Sequence, residues 1–222
     1  MRTITVQATL QPDHLESFVA ASVANARASV ATEPECRRFD IFRDEADPHR
    51  VGFNEIYDDD DAVGAHGDSA HFATWLSATD GMLDQLVWAT CRNLHSTSMT
   101  PRDATGRGSD GPLATGDIRV YLARISLPPD DADSFIVSVR EQARAAAVEE
   151  EGLLRFGINQ NVDLPTEIWL YKVHTGHAVA RCDATAPHTL AHLDRFSEVY
   201  STCSPSPISG PNLCPPDAGW WP

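Results

Sequence analysis

The chain has 222 residues, enough for one large domain or two of about 100 residues each. Hydrophobic residues make up 42% and charged residues 22%, a globular balance that excludes a disordered or fibrous chain. With 17 Lys and Arg against 32 Asp and Glu the formal charge is -15, which excludes nucleic acid or an anionic membrane as the main partner.

Met1–Val6 alternates like a strand and lacks the apolar block of a signal peptide, and no run approaches the roughly 18 apolar residues of a membrane span, so a cytoplasmic protein is expected. The alternation of Ile4, Val6, Ala8 and Leu10 predicts a half-buried first strand. Pro12 and Asp13 then predict the cap of a helix whose apolar stripe is Leu15, Phe18, Val19, Val23, Ala26 and Val30, ended by Glu33-Pro34. Arg38–Arg43 and Arg50–Tyr57 read as strands joined by a turn at Glu45–Pro48. The acidic run Asp58–Asp61 suits a helix N-terminus, and a second helical stretch carries His66, His71, Phe72, Trp75 and Leu76. Leu86, Val87, Trp88 and Leu94 predict a closing strand.

The order then repeats. Phe18 and Phe135 are 117 positions apart, and the same shift carries Leu10 to Leu127, Arg38-Phe39 to Arg155-Phe156, Pro48 to Pro165, His71 to His188 and Leu76 to Leu193 without a gap. Its second copy starts at Ile118, with a helix stripe of Phe135, Ile136, Val139, Ala143 and Ala147 and a third strand from Glu167 to His174. The implied organisation is one repeat over 1–96, a linker over 97–117, a second repeat over 118–200 and a Pro-rich tail over 201–222. Three prolines between 201 and 214 argue against a central closing strand in the second copy. The tail also carries Trp220 and Trp221, which either lie at the surface or cover a pocket mouth. Five scattered cysteines form no CxxC and no zinc spacing; Cys203 and Cys214 would pair only under oxidation. The fold class is α+β: two ferredoxin-like βαββαβ repeats packed sheet to sheet.

The first repeat resembles the antibiotic biosynthesis monooxygenase (ABM) domain family. The residues that carry the resemblance are Glu33-Pro34-Glu35-Cys36 before a strand, Glu55-Ile56-Tyr57 at a strand end, and His66 with Ser69-Ala70-His71-Phe72. Glu35 stands where glycine is usual and Tyr57 where tryptophan is usual. In the second repeat only His188 keeps the histidine pattern, and Lys172 and His174 occupy the positions of Glu55 and Tyr57. The resemblance implies a dimeric α/β barrel, formed here within one chain as a monomeric pseudo-dimer or in a homodimer. It implies an oxygenase of antibiotic biosynthesis acting with O2 on an aromatic polyketide intermediate, either phenol or anthrone to quinone or by ring opening. It implies no tightly bound cofactor, with reduced flavin (FMNH2 or FADH2) as a co-substrate in the ring-opening case. A non-catalytic polyketide-binding protein of the same fold is the alternative.

Cofactor-free oxidation needs a dry aromatic cavity, a base and a donor for the developing oxyanion. The catalytic candidates are His71, His66 and Tyr57 in the first repeat and His188 and His192 in the second; each histidine is otherwise a packing or solvated residue. Trp75, Phe53 and Phe39 are candidates to stack the substrate, and Asn54, Lys172 and His174 to bind it. Asn54 is one residue out of step with the family's strand asparagine, a slip that points a side chain to the other face. Glu55 is expected to pair with a base such as Arg43 rather than to act as an acid. Lys172 and Arg155 are candidates for a phenolate or a flavin phosphate, although no Gly-rich phosphate loop accompanies them. His188 and His192 are spaced i, i+4 but lack the glutamate of H-E-x-x-H, so no metal is expected.

Overall fold

The computed structural model describes residues 1–96, 118–150, 153–175, 192, 195, 196, 208–211 and 213. The expected linker at 97–117, His188, the Trp220-Trp221 pair and Cys182, Cys203 and Cys214 lie outside them. The first repeat runs β1 (Arg2–Leu10), α1 (Leu15–Thr32), β2 (Cys36–Arg43), β3 (Arg50–Tyr57), α2 (Asp60–Gly67), α3 (Ala70–Ala78) and β4 (Leu83–Ser96). The second runs β5 (Ile118–Ser126), α4 (Ala132–Glu149), β6 (Leu153–Asn161), β7 (Glu167–Thr175) and β8 (Ile208–Pro211).

All strand pairs are antiparallel, in the order β2-β3-β1-β4-β6-β7-β5-β8. Each half of that order is one ferredoxin-like sheet, and β4 against β6 joins them. The far edges also meet: Glu45 N–H donates to Ser209 O at 2.8 Å and Leu213 N–H to Ile41 O at 2.7 Å. The eight strands therefore wrap round into a barrel, with helices outside. Among the described residues the Pro-rich segment supplies no central strand, but it does supply a closing strand at the end of the order. It is four residues long, and Pro211 is its last residue.

Three apolar layers follow from strand alternation. Phe42, Cys91, Ile118, Val120, Leu122, Trp169 and Tyr171 fill the barrel interior and draw on both repeats. Val6, Phe18, Phe39, Ile41 and Phe53 form the layer between the first sheet and its helices. Phe135, Val139, Phe156, Ile158 and Leu170 form its counterpart in the second. No helix among the described residues is long and apolar enough to cross a membrane.

Two local differences from the predicted elements shape the site. The buried face of α1 is Phe18, Ser22, Asn25, Ala26 and Ser29, so the helix is rotated from the Val19, Val23, Val30 stripe toward its small polar residues. Asp13 is no cap either: it takes the left-handed conformation (φ 72°) and the helix starts after His14 without a side-chain cap. The single helical stretch predicted through His66 and His71 is two helices broken at Asp68-Ser69. Asp59 caps α2 by accepting from Ala62 N–H at 3.0 Å, and Ser69 caps α3 by accepting from Phe72 N–H at 3.2 Å.

Candidate active site

The break between α2 and α3 assembles the polar end of the site. On one continuous helix, residues five apart point about 140° away from each other. The turn instead brings the His66 and His71 rings to 5.6 Å between centroids. Glu33, at the C-terminus of α1, joins them: its Oε1 lies 2.9 Å from His66 Nδ1 and 2.8 Å from His71 Nε2. Ser29 Oγ sits 3.4 Å and 3.2 Å from the same two nitrogens. With Nδ1 bonded to Glu33, the buried His66 ring turns Nε2 toward Glu55, 3.9 Å from its Oε2. A carboxylate that fixes the tautomer and leaves the other nitrogen as acceptor is the arrangement of a proton-accepting histidine.

Beyond His66 opens a cavity of about 460 Å³ between the sheet, α1 and α3. Phe39, Phe53, Phe72, Trp75 and Trp88 supply its aromatic wall, Ile4, Val6 and Leu86 its aliphatic one, and His66, Glu55 and Asn25 its main polar groups. The Phe72 and Trp75 rings stack at 5.6 Å, and the Trp75 indole N–H donates to Ser22 Oγ at 2.9 Å. Leu76, Leu86 and Trp88 are exposed around this space.

Electrostatics divides the polar groups by role. Burial holds His66 down to about 4, so it is neutral at pH 7. Burial pushes Glu55 up to about 8, against the hydrogen bond from Tyr57, whose hydroxyl donates to Oε2 at 2.9 Å. Glu55 is therefore a protonated acid at pH 7 and not the partner of Arg43 that the sequence suggested. Burial also raises Glu33, and His71 beside it pulls the other way. The Tyr57 hydroxyl is held far above its ordinary range by burial and by Glu55, so it stays a donor. Groups with opposite shifts in one cavity define an acid and a base.

The predicted candidates distribute as follows. His66, Phe39, Phe53 and Trp75 line the cavity; Tyr57 stands behind Glu55, and His71 stands behind Glu33. Asn54 is fully buried on the opposite face of β3, in the barrel interior beside Thr5, with no hydrogen-bond partner for its amide. The one-residue slip thus removes it from substrate contact. Lys172, His174 and His192 lie buried in the second repeat; the Lys172 ammonium sits 4.3 Å over the Phe156 ring. Arg155 is 4% exposed, so neither cation presents an open site for a flavin phosphate. His192 bonds Ser138 at 2.9 Å and packs between Phe135 and Phe196. Sequence reasoning passed over Glu33, Asn25 and Ser29 as site residues and ranked Glu55 as a structural ion-pair partner ahead of an acid. Glu33 and Glu55 were visible within the family motif; the two polar α1 residues had no apolar period to mark them.

Glu33, His66 and His71 also place one ligand atom each within 4.8 Å of the others, a donor set acceptable to a divalent ion. Their separations of 2.8–2.9 Å to Glu33 are those of hydrogen bonds and account for the ring orientations without an ion.

Comparison with known proteins agrees with this architecture. The family model described as antibiotic biosynthesis monooxygenase matches residues 1–78. An isomerase of (4S)-4-hydroxy-5-phosphonooxypentane-2,3-dione from Yersinia enterocolitica is 32% identical over 83 residues, covering 37% of this chain and 85% of that protein. Two similar solved structures cover both repeats. One is a candidate monooxygenase from Fusobacterium nucleatum, with a TM-score of 0.75 at 12% identity over 95% of this chain and 90% of that one. The other is an anthrone oxidase-like protein, with a TM-score of 0.66 at 12% identity over the same shares. A barrel of two ferredoxin-like sheets with a helix-covered cavity in the first defines the class of protein. The chain belongs to the antibiotic biosynthesis monooxygenase family.

Proposed function

We propose that the protein is a cofactor-independent oxygenase of fused-ring phenols or anthrones, as found among aromatic polyketide intermediates, and that the first repeat carries the reaction. The observation that supports this most is the aromatic-walled cavity with a neutral, carboxylate-oriented His66 and a protonated Glu55 on the same wall. His66 Nε2 takes the proton of the bound phenol or enol while Glu33 stabilises the imidazolium that forms. His71 holds Glu33 in place. The electron-rich ring then reduces O2 and binds it at carbon as a peroxide, which takes the proton of Glu55 to become a hydroperoxide, while Tyr57 donates to the carboxylate left behind. Loss of water completes the balance: the Glu55 carboxylate takes the remaining hydrogen at that carbon, the O–O bond breaks, and the departing hydroxide takes the proton held by His66. The substrate thus gives up that C–H and the hydrogen first passed to His66 (a phenol's O–H, an anthrone's second C–H) with four electrons, one oxygen atom becomes the carbonyl and the other leaves as water.

The isomerase relative favours a second reading, in which the same histidine moves a proton between carbons of a dione without O2. None of the cavity's described lining residues is Lys or Arg, so none of them offers a phosphorylated substrate a cation.

The test is O2 uptake with anthrone or 1-naphthol, with and without reduced flavin, after dialysis against a chelator. Uptake without flavin and unaffected by the chelator is expected. Uptake only with flavin would select the ring-opening chemistry, and uptake lost to the chelator would replace the proton-transfer role of the Glu33 cluster with metal binding. No uptake under any condition would leave the isomerase or a non-catalytic binding protein.

A further inference from the structure

The inward face of α1 places Ser22, Asn25 and Ser29 in one row beneath the cavity. Two of the three are committed to side chains of the site: Ser22 to the Trp75 indole, Ser29 to His66 and His71. Asn25 is not. It lines the cavity, is 5% exposed, and its Oδ1 has no hydrogen-bond partner. An asparagine is a poor choice for a helix interior, and burying an unpaired carbonyl oxygen is costlier still. Leu or Ala would have continued the apolar wall without either cost. The oxygen accepts and never donates, so what satisfies it is a ligand that brings an O–H or N–H into an otherwise apolar space.

We propose that Asn25 is a specificity-determining residue, accepting a hydrogen bond from a substrate hydroxyl other than the one presented to His66. The proposal rests on the reading of the cavity as a site for phenolic arenes. Asn25 precedes Ser29 by four residues, about 6 Å along the helix axis, and Ser29 touches His66. The base end and the amide end are thus separated by about the width of one aromatic ring. The substrate class that fits is an arene with hydroxyls on opposite edges of one ring, the donor at Asn25 and the acidic phenol at His66.

The experiment is an anaerobic titration followed by tryptophan fluorescence, since Trp75 and Trp88 both line the cavity. Naphthalene-1,4-diol, 1-naphthol and naphthalene are the probes. The native protein should bind the diol about tenfold more tightly than 1-naphthol, the scale of one hydrogen bond to a buried group. Asn25→Leu should bind the two within twofold of each other while keeping its affinity for naphthalene. Asn25→Ala serves the same comparison if thermal unfolding shows the leucine variant to be misfolded. Equal affinities in the native protein, or a preference that survives in both variants, would overturn the proposal. Oxygen uptake is measured separately with 1-naphthol, whose carbon opposite the hydroxyl still carries a hydrogen: a hydroxyl preference without uptake would sink the oxygenase reading and leave Asn25 its role, and uptake without a preference would do the reverse.

Discussion

At the scale of single residues, the site is a matter of where charge is allowed. Glu55 titrates near 8 in the folded protein against an ordinary 4.5, so between those values the folded state keeps a proton that the unfolded chain has released. The stability it contributes is complete below about 4.5 and is lost as the pH rises through 8. His66 acts in the opposite direction: with its folded value lowered from 6.5 to about 4, its contribution is complete above 6.5 and is lost as the pH falls through 4. Above neutrality only Glu55 of this pair changes charge. The native protein should therefore lose about 2 kcal/mol more stability than Glu55→Gln between roughly pH 6.5 and 8.5, at 1.36 kcal/mol per pKa unit. Denaturant unfolding at the two pH values measures it; parallel behaviour of the two proteins would show that Glu55 is already ionised. The same substitution should cut the rate of O2 uptake at pH 7 by about a hundredfold, because the amide cannot deliver a proton.

At the scale of elements, the layout was legible wherever periodicity and burial coincide. The strand alternation in Ile4–Leu10 and Arg50–Tyr57 and the acidic start of α2 placed those elements within a residue or two. The burial of α1 was not legible, because its buried face is chosen by what the site needs. Ser22, Asn25 and Ser29 go inward to meet Trp75, the cavity and the histidines, and the valines that a hydrophobic stripe would bury stay only half covered. The break at Asp68-Ser69 was likewise hidden in a run that reads as continuous helix, although Ser69 three residues before Phe72 is an N-cap signal. That cap supports a test. Ser69→Ala and Asp59→Ala each remove one capping bond, and each should cost about 1 kcal/mol of stability. Ser69 Oγ also lies 3.2 Å from His71 Nε2, whereas Asp59 touches neither histidine among the described contacts. Thermal unfolding should rank the two variants together. Oxygen uptake should separate them: Asp59→Ala stays within about twofold of native, and Ser69→Ala falls several-fold further because the His71–Glu33 contact loosens. Equal rates would mean that His71 is held by Glu33 and Ser29 alone.

At the scale of the whole molecule, the duplication lets one repeat serve the other. In the second repeat Phe135 packs on Phe196, and that repeat contributes Tyr171 to the barrel interior beside the buried Arg38–Asp40 pair of the first. Through Tyr171 the second repeat braces β2 from inside the barrel, the strand from which Phe39 projects into the cavity. Closure of that barrel depends on β8, which is too short to bury much and has to approach the other edge closely. Gly210 is what permits the approach: a Cβ there would lie 1.8 Å from the carbonyl oxygen of Arg43, a contact that only backbone movement relieves. Gly157, in β6, is the internal control, since a Cβ there would meet nothing nearer than 3.5 Å. Gly210→Ala should destabilise the protein by roughly 2–3 kcal/mol, the usual cost of overpacking, and should release the bonds from Glu45 to Ser209 and from Leu213 to Ile41. Hydrogen exchange should then show faster loss of protection at Glu45 and Leu213 than elsewhere in the sheet. Gly157→Ala should unfold within about 1 kcal/mol of native. If both alanines behave alike, the edge between β2 and β8 carries no closing force, and the sheet that supports the cavity is held by β4 against β6 alone.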